Sequence, residues 1–106
     1  MTVQTLSALL AVFVCYLIGG VSFAFLIARA NGVDLHKVGS GNLGATNLGR
    51  ALGKRFARVC FLLDFAKGVL PVAIVGALFG PAMPWVPAAA GAAAIAGHVW
   101  PVALGF

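Results

Sequence analysis

Charge is scarce in this sequence, and acidic charge is the scarcest. Only 8% of the 106 residues are charged, and there are two acids, Asp34 and Asp64, against a total of seven Lys and Arg. A soluble domain carries about a quarter charged residues, so this composition excludes an ordinary soluble domain. With 62% hydrophobic residues, the chain is predicted to be a single membrane domain over residues 1–106.

Cysteine is nearly absent as well. Cys15 and Cys60 lie in separate apolar runs, and no CxxC or Cys/His spacing typical of a zinc site occurs. We therefore expect two small apolar residues in helices, and no metal or cofactor. The basic residues also lack the interleaved aromatics of a nucleic-acid-binding surface, so the net charge of +5 does not indicate RNA or DNA.

Long apolar runs take the place of charge. A membrane span needs about 20 apolar residues, and three segments approach or exceed that length: 6–28, 59–79 and 88–104. We predict a transmembrane helix in each, an interfacial helix at 45–56 and a Pro-rich turn at 80–87. The first run is too long, and its N-terminal flank too poor in Lys and Arg, for a secretory signal peptide.

The basic residues set the expected orientation. All seven lie between Arg29 and Lys67, and the turn at 80–87 has none. Since positively charged loops stay in the cytoplasm, we expect the loop at 29–58 to be cytoplasmic and the N-terminus to lie outside. The expected fold is therefore an all-α integral membrane protein of about three transmembrane helices with a glycine-rich cytoplasmic loop.

The polar chemistry is concentrated at 39–50, which reads Gly-Ser-Gly-Asn-Leu-Gly-Ala-Thr-Asn-Leu-Gly-Arg. Glycine allows positive φ and a close approach to the main chain, and successive N–H groups in such a turn cradle anions. Hydroxyls, carboxamides and the planar fork of Arg50 suit phosphate oxygens. We predict a phosphate or phosphate-ester site, rather than a plain polar turn, made of Gly39, Ser40, Gly41, Asn42, Gly44, Thr46, Asn47 and Arg50.

Residues that flank this motif are assigned structural roles. Asp34 is predicted to cap a short helix, and His36 to be solvated. Lys54, Arg55 and Arg58 are expected to lie near lipid headgroups and to set the orientation of the chain.

Two ionisable residues lie inside the second predicted span. Asp64 and Lys67 are three residues apart and share a helix face, and ionisable groups at membrane depth indicate function. An ion pair that neutralises both is as good an interpretation as substrate contact, and Lys67 is the better candidate for an anion. His98, near the end of the third span, either pairs with Trp100 at the interface or borders the site.

Four segments together resemble one known family. The motif at 39–50 is similar to the first cytoplasmic motif of the bacterial acyl-phosphate:glycerol-3-phosphate acyltransferases, the PlsY family. The segments at 19–24, 62–68 and 97–106 resemble the family's first-helix segment, its second-helix segment and the start of its second motif. The family's second motif continues into a Gly-Gly-Lys-Gly run that this sequence does not contain.

The resemblance implies transfer of an acyl chain from acyl phosphate to the 1-hydroxyl of glycerol 3-phosphate. The product, 1-acyl-glycerol 3-phosphate (lysophosphatidic acid), enters phospholipid biosynthesis. The resemblance implies that Ser40 and Arg50 are catalytic and hold glycerol 3-phosphate, with Asp64, Lys67 and His98 in support. It also implies a multi-pass protein of the bacterial inner membrane that contacts lipids, and a link to a phosphate acyltransferase that makes acyl phosphate.

Family members are about twice as long as these 106 residues and have seven helices. The resemblance therefore implies an N-terminal portion that carries part of the active site and is inactive alone. A small non-enzymatic membrane transporter or anion-binding protein is the alternative, in which Asp64 and Lys67 line a path. A structural membrane protein whose loop binds anionic lipid is a third interpretation.

Overall fold

Helices account for all the regular structure in residues 1–104, the part of the chain that the computed structural model describes. In chain order the α-helices are α1 (Val3–Gly19), α2 (Phe23–Ala30), α3 (Ala45–Leu52), α4 (Lys54–Phe79) and α5 (Val86–Val99). Two short 3-10 helices cover Leu35–Lys37 and Val102–Leu104. The all-α class is therefore confirmed, whereas Gly105 and Phe106 of the last family-like segment lie outside the described residues.

The prediction of one continuous helix over 6–28 is wrong. Helix α1 ends at Gly19, and α2 begins after Ser22. The Ser22 hydroxyl accepts a hydrogen bond from the Phe25 N–H at 3.2 Å, which is how serine starts a new helix. The adjacent glycines have low helix propensity, so the apolar run breaks at residues 20–22.

The other helix boundaries also differ from those expected from sequence. The interfacial helix predicted at 45–56 ends at Leu52, because Gly53 adopts a φ of +107°, a region that glycine enters at little cost. Helix α4 then begins at Lys54 rather than at residue 59. Helix α5 covers Val86–Val99 rather than 88–104, since Pro87 suits a first helical turn.

Among the described residues, helix α4 is long and apolar enough to cross a membrane on its own. It has 26 residues, and only 17% of its most apolar stretch is buried. Most of its apolar side chains therefore face outward. Helices α1 and α2 reach the length of a membrane span only when they are counted together as one bent span. Helix α5 is a shorter apolar helix of 14 residues. Three spans therefore remain a prediction, with α4 its best-supported member.

The chain divides into two compact units. The first contains Met1–Val21 and the chain from Ala66 onward. In it, α1 packs against α5 through small residues: a Cβ at Gly19 or at Gly97 would collide with main-chain atoms of the other helix. The Tyr16 hydroxyl donates a hydrogen bond to the Trp100 carbonyl at 2.7 Å, which joins the same two segments.

The second unit, Ser22–Phe65, holds the glycine-rich motif. Its core consists of fully buried side chains from α2, the first 3-10 helix, α3 and α4, namely Ala24, Ala28, Leu35, Leu48 and Cys60. Burial of apolar surface is the main stabilising term in such a cluster. Helix α3 also approaches α4 closely, since a Cβ at Gly49 would lie 2.9 Å from the Ala57 Cβ. The motif therefore connects two segments that are fixed on one core.

Candidate phosphate site

A capped 3-10 turn leads into the motif. The Asp34 carboxylate accepts hydrogen bonds from the His36 N–H at 3.1 Å and lies 3.2 Å from the His36 ring Nδ1. The main-chain bond, more than the ring, holds the pKa of Asp34 below its ordinary value. The predicted capping role of Asp34 is therefore confirmed, since its carboxylate binds the N–H at the start of the 3-10 helix.

The motif itself begins with a tight turn. Gly39 and Gly41 have φ values of +52° and +74°, which glycine adopts at little cost. The Gly41 N–H donates to the Val38 carbonyl at 2.9 Å, and the Ser40 hydroxyl accepts from the Asn42 N–H at 3.3 Å. The turn therefore fixes the backbone around Ser40 while the Ser40 side chain remains exposed.

Asn47, on helix α3, ties this turn to the helix. Its side chain is only 2% exposed. Its Oδ1 accepts a hydrogen bond from the Ser40 N–H at 3.2 Å. Its Nδ2 donates to three main-chain carbonyls, those of Leu35 at 3.4 Å, Val38 at 3.1 Å and Asn42 at 3.0 Å. One buried carboxamide therefore organises the loop before α3.

The remaining predicted ligands are accessible. Ser40, Asn42, Thr46 and Arg50 are all exposed. Arg50 lies in the last turn of α3, three residues after Asn47, so the two are neighbours on the helix surface. The Gly44 cap offers no side-chain oxygen to the first turn of α3, and that turn contains no acid. Hydroxyl, amide and guanidinium groups without a nearby acid in the motif suit an anion.

An open cavity of about 450 Å³ lies next to the start of α3. Its apolar lining residues are Ala45, Ala57, Phe61 and Leu62, and its polar lining residues are Thr46 and Arg58. From the sequence, Arg58 is expected to lie near lipid headgroups and to set the orientation of the chain, because it lies outside the polar motif. Its place in an apolar cavity beside a motif residue is a signal that only the fold provides.

The structure shows hydrogen-bonding contacts for two of the three predicted supporting residues. The Asp64 Oδ2 lies 3.6 Å from the Cys60 Sγ. The Lys67 ammonium is mostly buried and donates to the Val21 carbonyl at 2.8 Å. His98 is exposed in the last turn of α5. Pairing of Asp64 with Lys67 remains a prediction, whereas the main-chain partner of Lys67, 46 residues away in sequence, is new.

The Lys67→Met variant is expected to unfold at a lower temperature than the parent chain. Val21 lies in the break after α1, where carbonyls lose their helical donors, and a hydrogen bond that involves a charged group contributes about 1.5–3 kcal/mol. Thermal unfolding in detergent micelles measures the effect. Lys54→Met, at an exposed position of the same helix, is the control. Equal melting temperatures for the two variants would contradict a structural role for the Lys67 hydrogen bond.

The fold and the site together define an α-helical protein in which an exposed glycine-rich polar motif lies beside an apolar helix long enough to cross a membrane. The match to known proteins is more specific. This chain belongs to the glycerol-3-phosphate acyltransferase family, whose sequence model matches residues 9–106. The family inferred from the four segments is thereby confirmed.

Similar proteins with curated names are glycerol-3-phosphate acyltransferases. The Aquifex aeolicus protein is 46% identical over 101 residues, which make up 95% of this chain and 52% of the relative. The Rubrobacter xylanophilus protein is 50% identical over 97 residues, or 92% of this chain and 48% of the relative. The chain therefore spans about half the length of the curated relatives it matches.

Two crystal structures are similar in fold as well as in sequence. Both are of PlsY, described as an integral membrane glycerol 3-phosphate acyltransferase. The glycerol 3-phosphate form has a TM-score of 0.85 and 48% identity, and the match covers 94% of this chain and 50% of that one. The lysophosphatidic acid form has a TM-score of 0.84 and 46% identity, with 94% and 48% covered.

Proposed function

We propose that this chain takes part in the transfer of an acyl chain from acyl phosphate to the 1-hydroxyl of glycerol 3-phosphate. The observation that supports this most is that the family match includes the whole motif at 39–50, in which Ser40 and Arg50 are exposed to a ligand. The relative crystallised in a glycerol 3-phosphate form supports the same acceptor. The chain would supply the acceptor-binding part of the site.

In this proposal, Arg50 pairs with the phosphate of glycerol 3-phosphate, and the Ser40 hydroxyl orients the acceptor. Asn42, Thr46 and the glycine backbone complete the cradle. An acyl phosphate is already activated, so the site has only to position the reactants and to stabilise charge. The 1-hydroxyl oxygen bonds to the acyl carbon, the bond from that carbon to phosphate breaks, and inorganic phosphate leaves with the hydroxyl proton.

The cavity next to α3 favours a lipid-like donor. Its walls are mostly apolar, and Arg58 supplies a cation at the same place. An acyl chain gains free energy on an apolar wall, while a phosphate head is attracted by the guanidinium. Asp64, Lys67 and His98 have supporting roles in this proposal. The setting is the bacterial inner membrane, with the loop at 29–58 in the cytoplasm and acyl phosphate supplied by a phosphate acyltransferase.

The deciding experiment is an acyl-transfer assay in membranes. Labelled glycerol 3-phosphate is supplied with palmitoyl phosphate, and palmitoyl-CoA is the control donor. The assay uses this chain alone and a chimera in which it is joined to the part of the Aquifex aeolicus relative beyond the match. We expect labelled lysophosphatidic acid from the chimera with palmitoyl phosphate only.

Other results of this assay separate the alternatives. Product formation with palmitoyl-CoA would overturn the proposed donor. Saturable binding of glycerol 3-phosphate with no product from either form would favour the anion-binding protein or transporter instead.

A further inference from the structure

We propose that Asn47 is a positioning residue, not a phosphate ligand: it fixes Ser40 against the helix that carries Arg50. The sequence motif alone offers Asn47 as one more donor in the cradle. Its surroundings in the fold give it a different task. The consequence for turnover rests on the proposed function, whereas the positioning itself rests on the geometry of the second unit.

The first argument is that both the nitrogen and the oxygen of the Asn47 carboxamide already have main-chain partners. An amide NH2 group has two hydrogens, and here three main-chain carbonyls lie within 3.4 Å of Nδ2. Its oxygen accepts from the Ser40 N–H. With 2% of the residue exposed, a ligand reaches this amide only if the loop first opens. Displacing the amide would break these buried hydrogen bonds at a cost in free energy, so the native position is favoured.

The second argument concerns what these bonds do to the loop. The carbonyls of Leu35, Val38 and Asn42 are held toward the Asn47 amide. Carbonyl oxygens repel a phosphate, so holding them toward the amide leaves hydroxyl and guanidinium groups to face an anion. Because Asn47 lies three residues before Arg50 on α3, the same side chain sets the register of Ser40 relative to Arg50.

The third argument comes from Gly39. A Cβ at this position would collide with the Asn47 Oδ1, and the φ of Gly39 is +52°. The glycine therefore makes room for the very oxygen that receives the Ser40 N–H. Gly39 and Asn47 belong to one network, so substitutions at the two positions should not be additive.

Hydrogen exchange of the Ser40 amide tests the positioning directly. The Asn47→Leu variant removes all four hydrogen bonds and adds no charge. We expect exchange at Ser40 to accelerate roughly 10-fold, as one lost hydrogen bond implies, without any ligand present. Asn31→Leu is the matched control: the Asn31 Nδ2 also donates to a main-chain carbonyl, that of Ile27 at 2.8 Å, but Asn31 lies outside the motif at 39–50. Unchanged exchange in Asn47→Leu would overturn the proposal.

Gly39→Ala is the second variant, in case Asn47→Leu does not fold. It displaces the Asn47 oxygen while leaving the carboxamide in the chain. We expect it to accelerate Ser40 exchange too, and the double variant to exchange no faster than Asn47→Leu alone. A normal Ser40 rate in Gly39→Ala, or additive rates in the double variant, would contradict a shared network.

Kinetics of the chimera then separate positioning from direct contact. We expect Asn47→Leu to raise KM for glycerol 3-phosphate roughly 10-fold, with KM for palmitoyl phosphate unchanged. A raised KM with a protected Ser40 amide would indicate direct contact, and faster exchange with an unchanged KM would show that positioning has no role in binding. Absence of turnover in the parent chimera would refute the proposed function, while the exchange result would still decide the role of Asn47.

Discussion

Replacement of Arg50 by alanine is expected to lower kcat/KM for glycerol 3-phosphate by about 10²–10³-fold in the chimera. A loss of this size is usual when an active site loses a hydrogen-bond donor that stabilises negative charge on the substrate or in the transition state. Arg50 is exposed in the last turn of α3, the helix that Asn47 joins to the turn by its hydrogen bond with Ser40. The planar fork of a guanidinium is suited to pair with two phosphate oxygens at once. Arg50→Lys keeps the charge but loses the fork, so we expect an intermediate rate.

Arg55→Ala is the control for Arg50→Ala. Arg55 is also exposed, in the first turn of α4, but lies outside the motif. A surface substitution of this kind has a small effect, and kcat/KM is expected to stay within about twofold of the parent value. Equal losses in the two variants would show that Arg50 contributes only general positive charge. If both also weakened binding to anionic vesicles equally, the lipid-binding interpretation would explain the loop better.

The fold class was predictable because composition and apolar length determine it. A run such as 59–79 is too long and apolar for a soluble surface helix, and α4 indeed extends through it. The break at residues 20–22 was not predictable from hydropathy, because Ser22 is tolerated within an apolar helix and also starts a new one. Whether Ser22 continues a helix or starts a new one depends on the contacts that the surrounding chain makes.

The location of the polar motif at 39–50 could be predicted from the sequence, but the separate roles of its residues could not. The residue type permits the positive φ found at Gly39 and Gly41. A carboxamide, however, has the same donors and acceptor whether it binds a ligand or the chain. The role of Asn47 depends on burial with Leu35 and on the path of the loop, and a single sequence specifies these only through the complete fold.

The Gly97→Ala variant is expected to lose about 1–3 kcal/mol of stability, the usual cost of overpacking. A Cβ at Gly97 would lie 2.9 Å from the Tyr16 carbonyl carbon and 3.0 Å from the Gly20 nitrogen. These are main-chain atoms, so α1 and α5 would have to move apart. In lipid, close approach of helices through small residues is a main source of association.

Gly91→Ala, on the same helix, separates this clash from the general effect of replacing a glycine. A Cβ at Gly91 meets no atom within 4 Å, and alanine in a helix interior is favoured over glycine by about 0.5–1 kcal/mol. Thermal unfolding in micelles should therefore place Gly91→Ala at or above the parent chain and Gly97→Ala clearly below it. If both variants melted above the parent chain, helix propensity would outweigh packing, and the tight contact between α1 and α5 could not be a determinant of stability.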